Sequence, residues 1–224
     1  MVNISNETIS ILKNFATINP NIVLQPGGKV KTIAEAKNIL ASASIAEEFP
    51  SEMGIYDLNE FLSVLSLIAA PSISFEENSA VISNASGGSK VRYFFSDPSI
   101  LTAPSKDINM PEADVTLSLK STDLQSVTKA AAVLGHNELS IVGSKGKVVL
   151  RVLDSKDTSA NTFDYDVGTT ADSEFNFIFN IANLKLLPGD YSVEISSKLI
   201  SRWTNTTNNT QYFIALEKNS QFGA

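Results

Sequence analysis

His136 is the only histidine in the 224-residue chain and there is no cysteine, so the side-chain chemistry open to this sequence is narrow. A serine–histidine pair could be built only around His136. Its setting, Leu134-Gly135-His136-Asn137 just past a helical run, reads as a solvated histidine at a helix C-terminus. The lack of thiols excludes disulfides, thiolate zinc sites and cysteine nucleophiles, and it fits a reducing compartment. Two acidic pairs, Asp154/Asp157 and Asp164/Asp166, could hold a cation. One falls in a turn pattern and the other on a strand edge, where solvated carboxylates are the ordinary outcome. No phosphate loop, dinucleotide fingerprint or zinc spacing is present. Neither catalysis, a metal nor a cofactor is expected.

The chain that would position these groups has material for a core. Hydrophobic residues make up 43% and charged residues only 18%, which argues against disorder and coiled coils. Residues 1–7 lack the basic stretch and apolar run of a signal peptide, and no apolar run approaches a membrane span. A soluble protein with no membrane partner is expected. The formal net charge of −7 argues, as an average, against phosphate contact, so where the lysines sit matters more than how many there are.

Short alternating runs dominate. Strands are predicted at 21–25, 30–34, 39–43, 73–76, 80–83 and 90–96 in the first half. In the second half they are predicted at 115–120, 138–142, 147–153, 162–167, 175–179, 191–196, 200–204 and 211–217. Turn signals such as Pro26-Gly27-Gly28, Gly87-Gly88 and Pro188-Gly189-Asp190 separate them. Four segments have helical spacing instead: 6–15, 58–68 behind an Asp57 cap, 122–134 capped by Ser121 or Thr122, and a short 182–187. Helix entries echo one another in Asp57-Leu58, Asp123-Leu124 and Asn183-Leu184, which points to internal duplication. Three prolines, Pro98, Pro104 and Pro111, mark a semi-rigid connector at 98–111 between an N-terminal domain, 1–97, and a C-terminal domain, 112–224. The expected architecture is α+β.

Several stretches carry a family resemblance, spread in order over nearly the whole chain. Leu12-Lys13-Asn14-Phe15-Ala16-Thr17-Ile18-Asn19 resembles the first helix of the DNA polymerase sliding clamps of T-even-like bacteriophages. Ile55 through Leu67, beginning Ile55-Tyr56-Asp57-Leu58-Asn59-Glu60-Phe61, resembles the second. Asp97-Pro98-Ser99, Phe175 through Asn183, and Tyr212-Phe213-Ile214-Ala215-Leu216-Glu217 match further along, while residues 29–48 and 145–167 match poorly. The resemblance implies a clamp fold of two duplicated domains, each with two helices on the inner face and antiparallel sheets outside. It also implies a homotrimeric ring that encircles duplex DNA in the cytoplasm of an infected bacterial host. The implied partners are double-stranded DNA without sequence specificity, the C-terminal tail of the replicative polymerase, a clamp-loader ATPase complex, and a late-transcription sigma-like factor with its co-activator. A β-rich virion structural protein is the alternative, and a carbohydrate-binding β module a further one; neither fold class commonly sets an amphipathic helix in each repeat.

Sliding contact needs positive charge near phosphates without base readout, and Lys13, Lys120, Lys129 and Lys185 lie on or beside the predicted helices. Helix two has no lysine, so the expected field is weak. Val91, Tyr93 and Phe95 on one predicted edge strand, with Phe163 and Tyr165 on another, are expected to join neighbouring subunits. Ile100 and Leu101 of the connector, laid over the second domain's outer sheet with Leu199, Phe213 and Leu216, are expected to take the tails of partner proteins.

Overall fold

The computed structural model describes residues 1–84 and 88–223; Gly87 of the predicted Gly87-Gly88 turn lies outside the described residues. The chain divides into two compact units between Asp107 and Ile108.

The first unit contains β1 (Val2–Asn3), α1 (Asn6–Ile18), β2 (Ile22–Leu24), β3 (Gly27–Ile33), β4 (Ile39–Phe49) and β5 (Met53–Ile55). α2 (Leu58–Leu67), β6 (Ser72–Phe75), β7 (Ser79–Ser83) and β8 (Lys90–Phe94) follow. α1 begins where the Ser5 hydroxyl accepts the Thr8 amide, and it buries Ile11, Leu12, Phe15 and Ile18 at helical spacing. It stops at Asn19, because Pro20 drives the residue before it into the extended region, where Asn19 has φ −144°. α2 starts at the Asp57 cap read from the sequence, whose carboxylate accepts the Glu60 amide at 3.0 Å. All pairings are antiparallel: β3 with β4, β2 with β5, and a four-stranded sheet in the order β1-β6-β7-β8.

β4 runs six residues beyond its predicted end. Its second half hides the period, because Glu47 points inward and is 8% exposed. The Glu47 carboxylate accepts the Ser5 amide and, at 2.5 Å, the Thr8 hydroxyl, so it fastens the start of α1 to the sheet. Burial works against this charge, but the hydrogen bonds from Thr8 and Ser5 outweigh it and hold the carboxyl below its usual pKa.

The second unit contains β9 (Val115–Leu119), α3 (Ser121–Leu134), β10 (Glu138–Ser144), β11 (Lys147–Leu153), β12 (Phe163–Asp166) and β13 (Phe175–Asn180). β14 (Tyr191–Ser196), β15 (Ile200–Asn205), β16 (Gln211–Ala215) and β17 (Gln221–Phe222) complete it. One sheet has the order β12-β11-β10-β13-β17, and a second runs β16-β15-β14-β9. They meet in an aromatic core in which Trp203 stands edge-on to Phe179, with ring centres 5.6 Å apart. α3 begins at Ser121, so its N-cap, Lys120, lies one residue before the first predicted cap; the Lys120 amide donates to the Asp123 carboxylate at 2.8 Å. Gly135, at φ 72°, closes α3 in the left-handed conformation that glycine adopts without strain.

The predicted helix at 182–187 does not form. A single 3-10 turn, Ile181–Asn183, stands in its place, with the Asn180 side chain accepting the Ala182 amide. Six residues are too few to nucleate a helix, and Pro188 disfavours helical backbone at Leu187. Leu187 is instead bound through both backbone groups. Its amide donates to the Tyr212 hydroxyl at 3.2 Å, and its carbonyl accepts from the Tyr191 hydroxyl at 2.6 Å. The echoed helix entries also differ in register. Asp57 is an N-cap, Asp123 is the third residue of its helix, and Asn183 ends the 3-10 turn.

Candidate functional site

The three helices each bury one face and present the other to solvent. The exposed positions are mostly small and polar: Ser10, Lys13 and Thr17 on α1, Asn59, Ser63 and Ser66 on α2, and Thr122, Gln125, Thr128 and Lys129 on α3. Hydroxyls and amides of this kind hydrogen-bond to water or phosphate without preference for a base. Charge on these faces is nearly balanced. Glu7, Asp57 and Glu60 offset Lys13, Lys120 and Lys129, so any attraction to phosphate is mild. Lys13, Lys120 and Lys129 are exposed, whereas Lys185 is half-buried on the irregular segment that stands in place of the fourth helix. That segment and α3 border an open groove of about 470 Å³, lined by Leu124, Lys129, Ala132, Leu184 and Leu186 among others. The groove was not read from the sequence, because a helix was expected where the chain makes a 3-10 turn and an irregular segment.

The two strands expected to meet across subunits are both sheet edges. Among the described residues β8 pairs only with β7 and β12 only with β11. Val91, Tyr93, Phe95, Phe163 and Tyr165 are all half-buried. Each tyrosine is tied to the start of the helix beside it. The Tyr93 ring stands edge-on to Phe61 at 5.2 Å, and its phenol is pushed up to about 12 by burial and by the charges of Glu60 and Asp57. The Tyr165 phenol is raised chiefly by its hydrogen bond to Asp123. Beside β12, a groove of about 430 Å³ lies between Phe163 and the Ala130, Val133 and Leu134 side of α3. Val133 is 77% exposed there. It was missed because Ala130-Ala131-Ala132-Val133-Leu134 reads as uniformly apolar, which hides which face is turned outward.

The residues expected to form a partner pocket differ in character. Ile100 is 69% exposed at the end of a 3-10 turn, Pro98–Ile100, capped by Asp97. Leu101 is half-buried against Gly54 of the first unit, where a side chain at Gly54 would meet both Leu101 and the Ser96 carbonyl. Thr102 is held to the same unit, its amide donating to the Asn21 side chain at 3.1 Å. The connector is thus fastened to the first unit at its start, which the proline spacing alone did not reveal. In the second unit Phe213 and Leu216 are buried in or just past β16. Leu199 adopts φ 63°, a left-handed conformation that a leucine holds only under local constraint, and its carbonyl accepts the Leu216 amide.

His136 is not a free solvated side chain: it is half-buried, and its Nε2 lies 2.7 Å from the Asn161 carbonyl, tying the end of α3 to the loop before β12. Asp154 and Asp157 close local turns onto the Lys156 and Ser159 amides. Asp164 is held by Arg151 through two bonds of 2.6 and 2.7 Å, and Asp166 accepts the Gly168 amide. No group of three or more His, Asp or Glu side chains that could hold a metal ion occurs among the described residues. No helix among the described residues is long and apolar enough to cross a membrane.

The architecture, helices beside antiparallel sheets in each of two units, is that of the DNA clamps. The chain is similar to A. fulgidus PCNA, in a structure with the C-terminal region of FEN-1 bound, at a TM-score of 0.69 and 13% identity, covering 95% of this chain and 96% of that one. PCNA of Entamoeba histolytica gives a TM-score of 0.66 at 14% identity, over 93% and 94% of the two chains. Sequence narrows the class. Residues 5–99 match the DNA polymerase processivity factor family, and residues 115–218 match the C-terminal domain of the gp45 sliding clamp. The chain is 33% identical to the sliding clamp of Vibrio phage KVP40 over 96% of its length and 98% of that protein. It is also 33% identical to the sliding clamps of Escherichia phage RB69, over 97% of both chains, and Enterobacteria phage T4, over 87% of both. The chain belongs to the sliding clamp family of T-even-like phages.

Proposed function

We propose that three copies of this chain close into a ring around duplex DNA and tether the replicative polymerase for processive synthesis, with no catalysis by the ring itself. The observation that carries this reading is the family match, which runs in order through both units and covers nearly the whole chain. The helix faces fit the role: a surface rich in Ser, Thr and Asn, with a few lysines and little net charge, favours no base and no single pose on a phosphate backbone. Two unpaired sheet edges in different units of one chain fit head-to-tail joining, which gives a ring when its rotation closes. The two units are read as duplicated copies of one design, with the second having lost its second helix.

The ring is opened by a clamp-loader ATPase and works in the cytoplasm of the infected bacterium. The polymerase C-terminal tail docks at the exposed connector residue Ile100, and a late-transcription sigma-like factor with its co-activator uses the ring as a mobile platform. The binding of a FEN-1 C-terminal region by a clamp of similar fold supports tail docking as the mode. Primer extension by the cognate polymerase, with loader and ATP, tests the function. Products should lengthen from short runs to template length when this protein is added; unchanged product length would overturn the reading.

A further inference from the structure

The two free edges carry complementary patterns on both of their faces. In β8 the side chains alternate: Lys90, Arg92 and Phe94 are exposed on one face, while Val91 and Tyr93 are half-buried on the other. In β12 Asp164 and Asp166 are exposed, while Phe163 and Tyr165 are half-buried. One edge is therefore basic outside and apolar inside, and the other is acidic outside and apolar inside.

We infer, on the reading that copies of this chain join through these edges, that β8 pairs antiparallel with β12 of a second copy in one register, with Lys90 opposite Asp166, Val91 opposite Tyr165, Arg92 opposite Asp164 and Tyr93 opposite Phe163. A slip of one residue would set Asp164 against the apolar row, and a slip of two would leave only one of the two charge pairs. The charges already present inside each unit extend the pattern. Arg151 sits directly opposite Asp164 within its own sheet and binds it twofold, Lys147 lies 3.7 Å from Asp166, and Glu76 lies 3.4 Å from Arg92. Pairing in this register lines up Arg151, Asp164, Arg92 and Glu76 as a row of alternating sign across the joint, with Lys147, Asp166 and Lys90 as a second row. Each carboxylate gains a second cation, and no like charges face each other. The same rows bar a wrong joint: two β8 edges would oppose cations, and two β12 edges would oppose carboxylates. The second copy is thus selected head to tail. Antiparallel pairing accords with the strand pairs described within each unit, and a parallel joint would instead set Lys90 opposite Asp164.

Sedimentation velocity of the full chain over a range of concentrations tests the register. Lys90→Asp opposes two carboxylates at each joint and should raise the dissociation concentration about fivefold or more, with circular dichroism unchanged, since Lys90 is exposed. Adding Asp166→Lys to Lys90→Asp should restore the wild-type value, and adding Asp164→Lys should not. Rescue by Asp164→Lys alone would overturn the antiparallel register while leaving the ring reading intact. Lys90→Asp assembling like wild type would overturn the charge rows. A wild-type chain that stays monomeric at every concentration would remove the ring reading and this inference with it.

Discussion

Replacing Tyr191 with phenylalanine removes one oxygen from the core and nothing else. That oxygen donates to the Leu187 carbonyl at 2.6 Å, and both Tyr191 and Tyr212 are 0% exposed, so no water can take its place without opening the unit. The ring stays, so no large cavity forms. The cost is that of a buried carbonyl left without a donor, with the Tyr212 hydroxyl that bonds the Tyr191 oxygen also losing a partner, about 1–3 kcal/mol. For a chain of this size about 1 kcal/mol lowers the melting temperature by about 2–4 °C, so a fall of about 2–12 °C is expected. Tyr212→Phe orphans the Leu187 amide and should lose a similar amount. The double variant should lose less than the sum by at least about 0.5 kcal/mol, because both hydroxyls hold one residue. Trp203, the only tryptophan, lies 6.3 Å from the Tyr191 ring and reports the melt by fluorescence at one fixed chain concentration. Hydrogen exchange at Leu186 and Leu187 should quicken in both single variants, since the irregular segment that carries Lys185 depends on this clasp. If Tyr191→Phe melts within about 1 °C of wild type and exchange is unchanged, packing alone holds the segment and the reasoning fails.

Three further outcomes are expected. Because the Glu47 pKa is lower folded than unfolded, its stabilisation is full above the unfolded carboxylate value, about 4.3, and is lost as pH falls below it. The wild-type melting temperature should therefore drop more steeply than that of Glu47→Gln between about pH 5 and 3. Neutralising Lys13, Lys120, Lys129 and Lys185 together should lower processivity equally on all template sequences and flatten its salt dependence; unchanged processivity across salt would mean that DNA meets another face. Ile100→Asp, at an exposed position, should leave assembly intact while abolishing binding of a labelled polymerase tail in an anisotropy titration; wild-type affinity would move the tail site elsewhere.

Much of this fold was legible because its strands alternate with a period of two. β14 reads apolar at Tyr191, Val193 and Ile195 and polar between, and the structure buries those three residues. The edges β8 and β12 were visible in the same way. The misses have local causes. β5 has three residues, too few to show a period. The end of β4 was hidden by an inward glutamate whose charge is balanced by Thr8 and Ser5, contacts 39 and 42 residues away. Residues 182–187 have helical spacing, yet Pro188 and two distant tyrosine hydroxyls hold the segment at Leu187 out of a helix. His136 looked solvated because its acceptor, Asn161, comes from another loop. Of the candidate sites, the lysines and edges follow from pattern. The packing of Leu101 on Gly54 and the left-handed Leu199 are tertiary facts that no short window contains.

On the proposed function the protein holds DNA by surrounding it, a topological link. The measurement that bears on it most directly loads the protein, with clamp loader and ATP, onto nicked circular DNA, removes free protein by gel filtration at high salt, and then cuts the circle once. A surrounding ring stays with the circle despite the salt and leaves when the DNA is linearised, because it slides off the free end. Loss from the uncut circle at high salt, or retention on the linear product with its ends unblocked, would contradict the account.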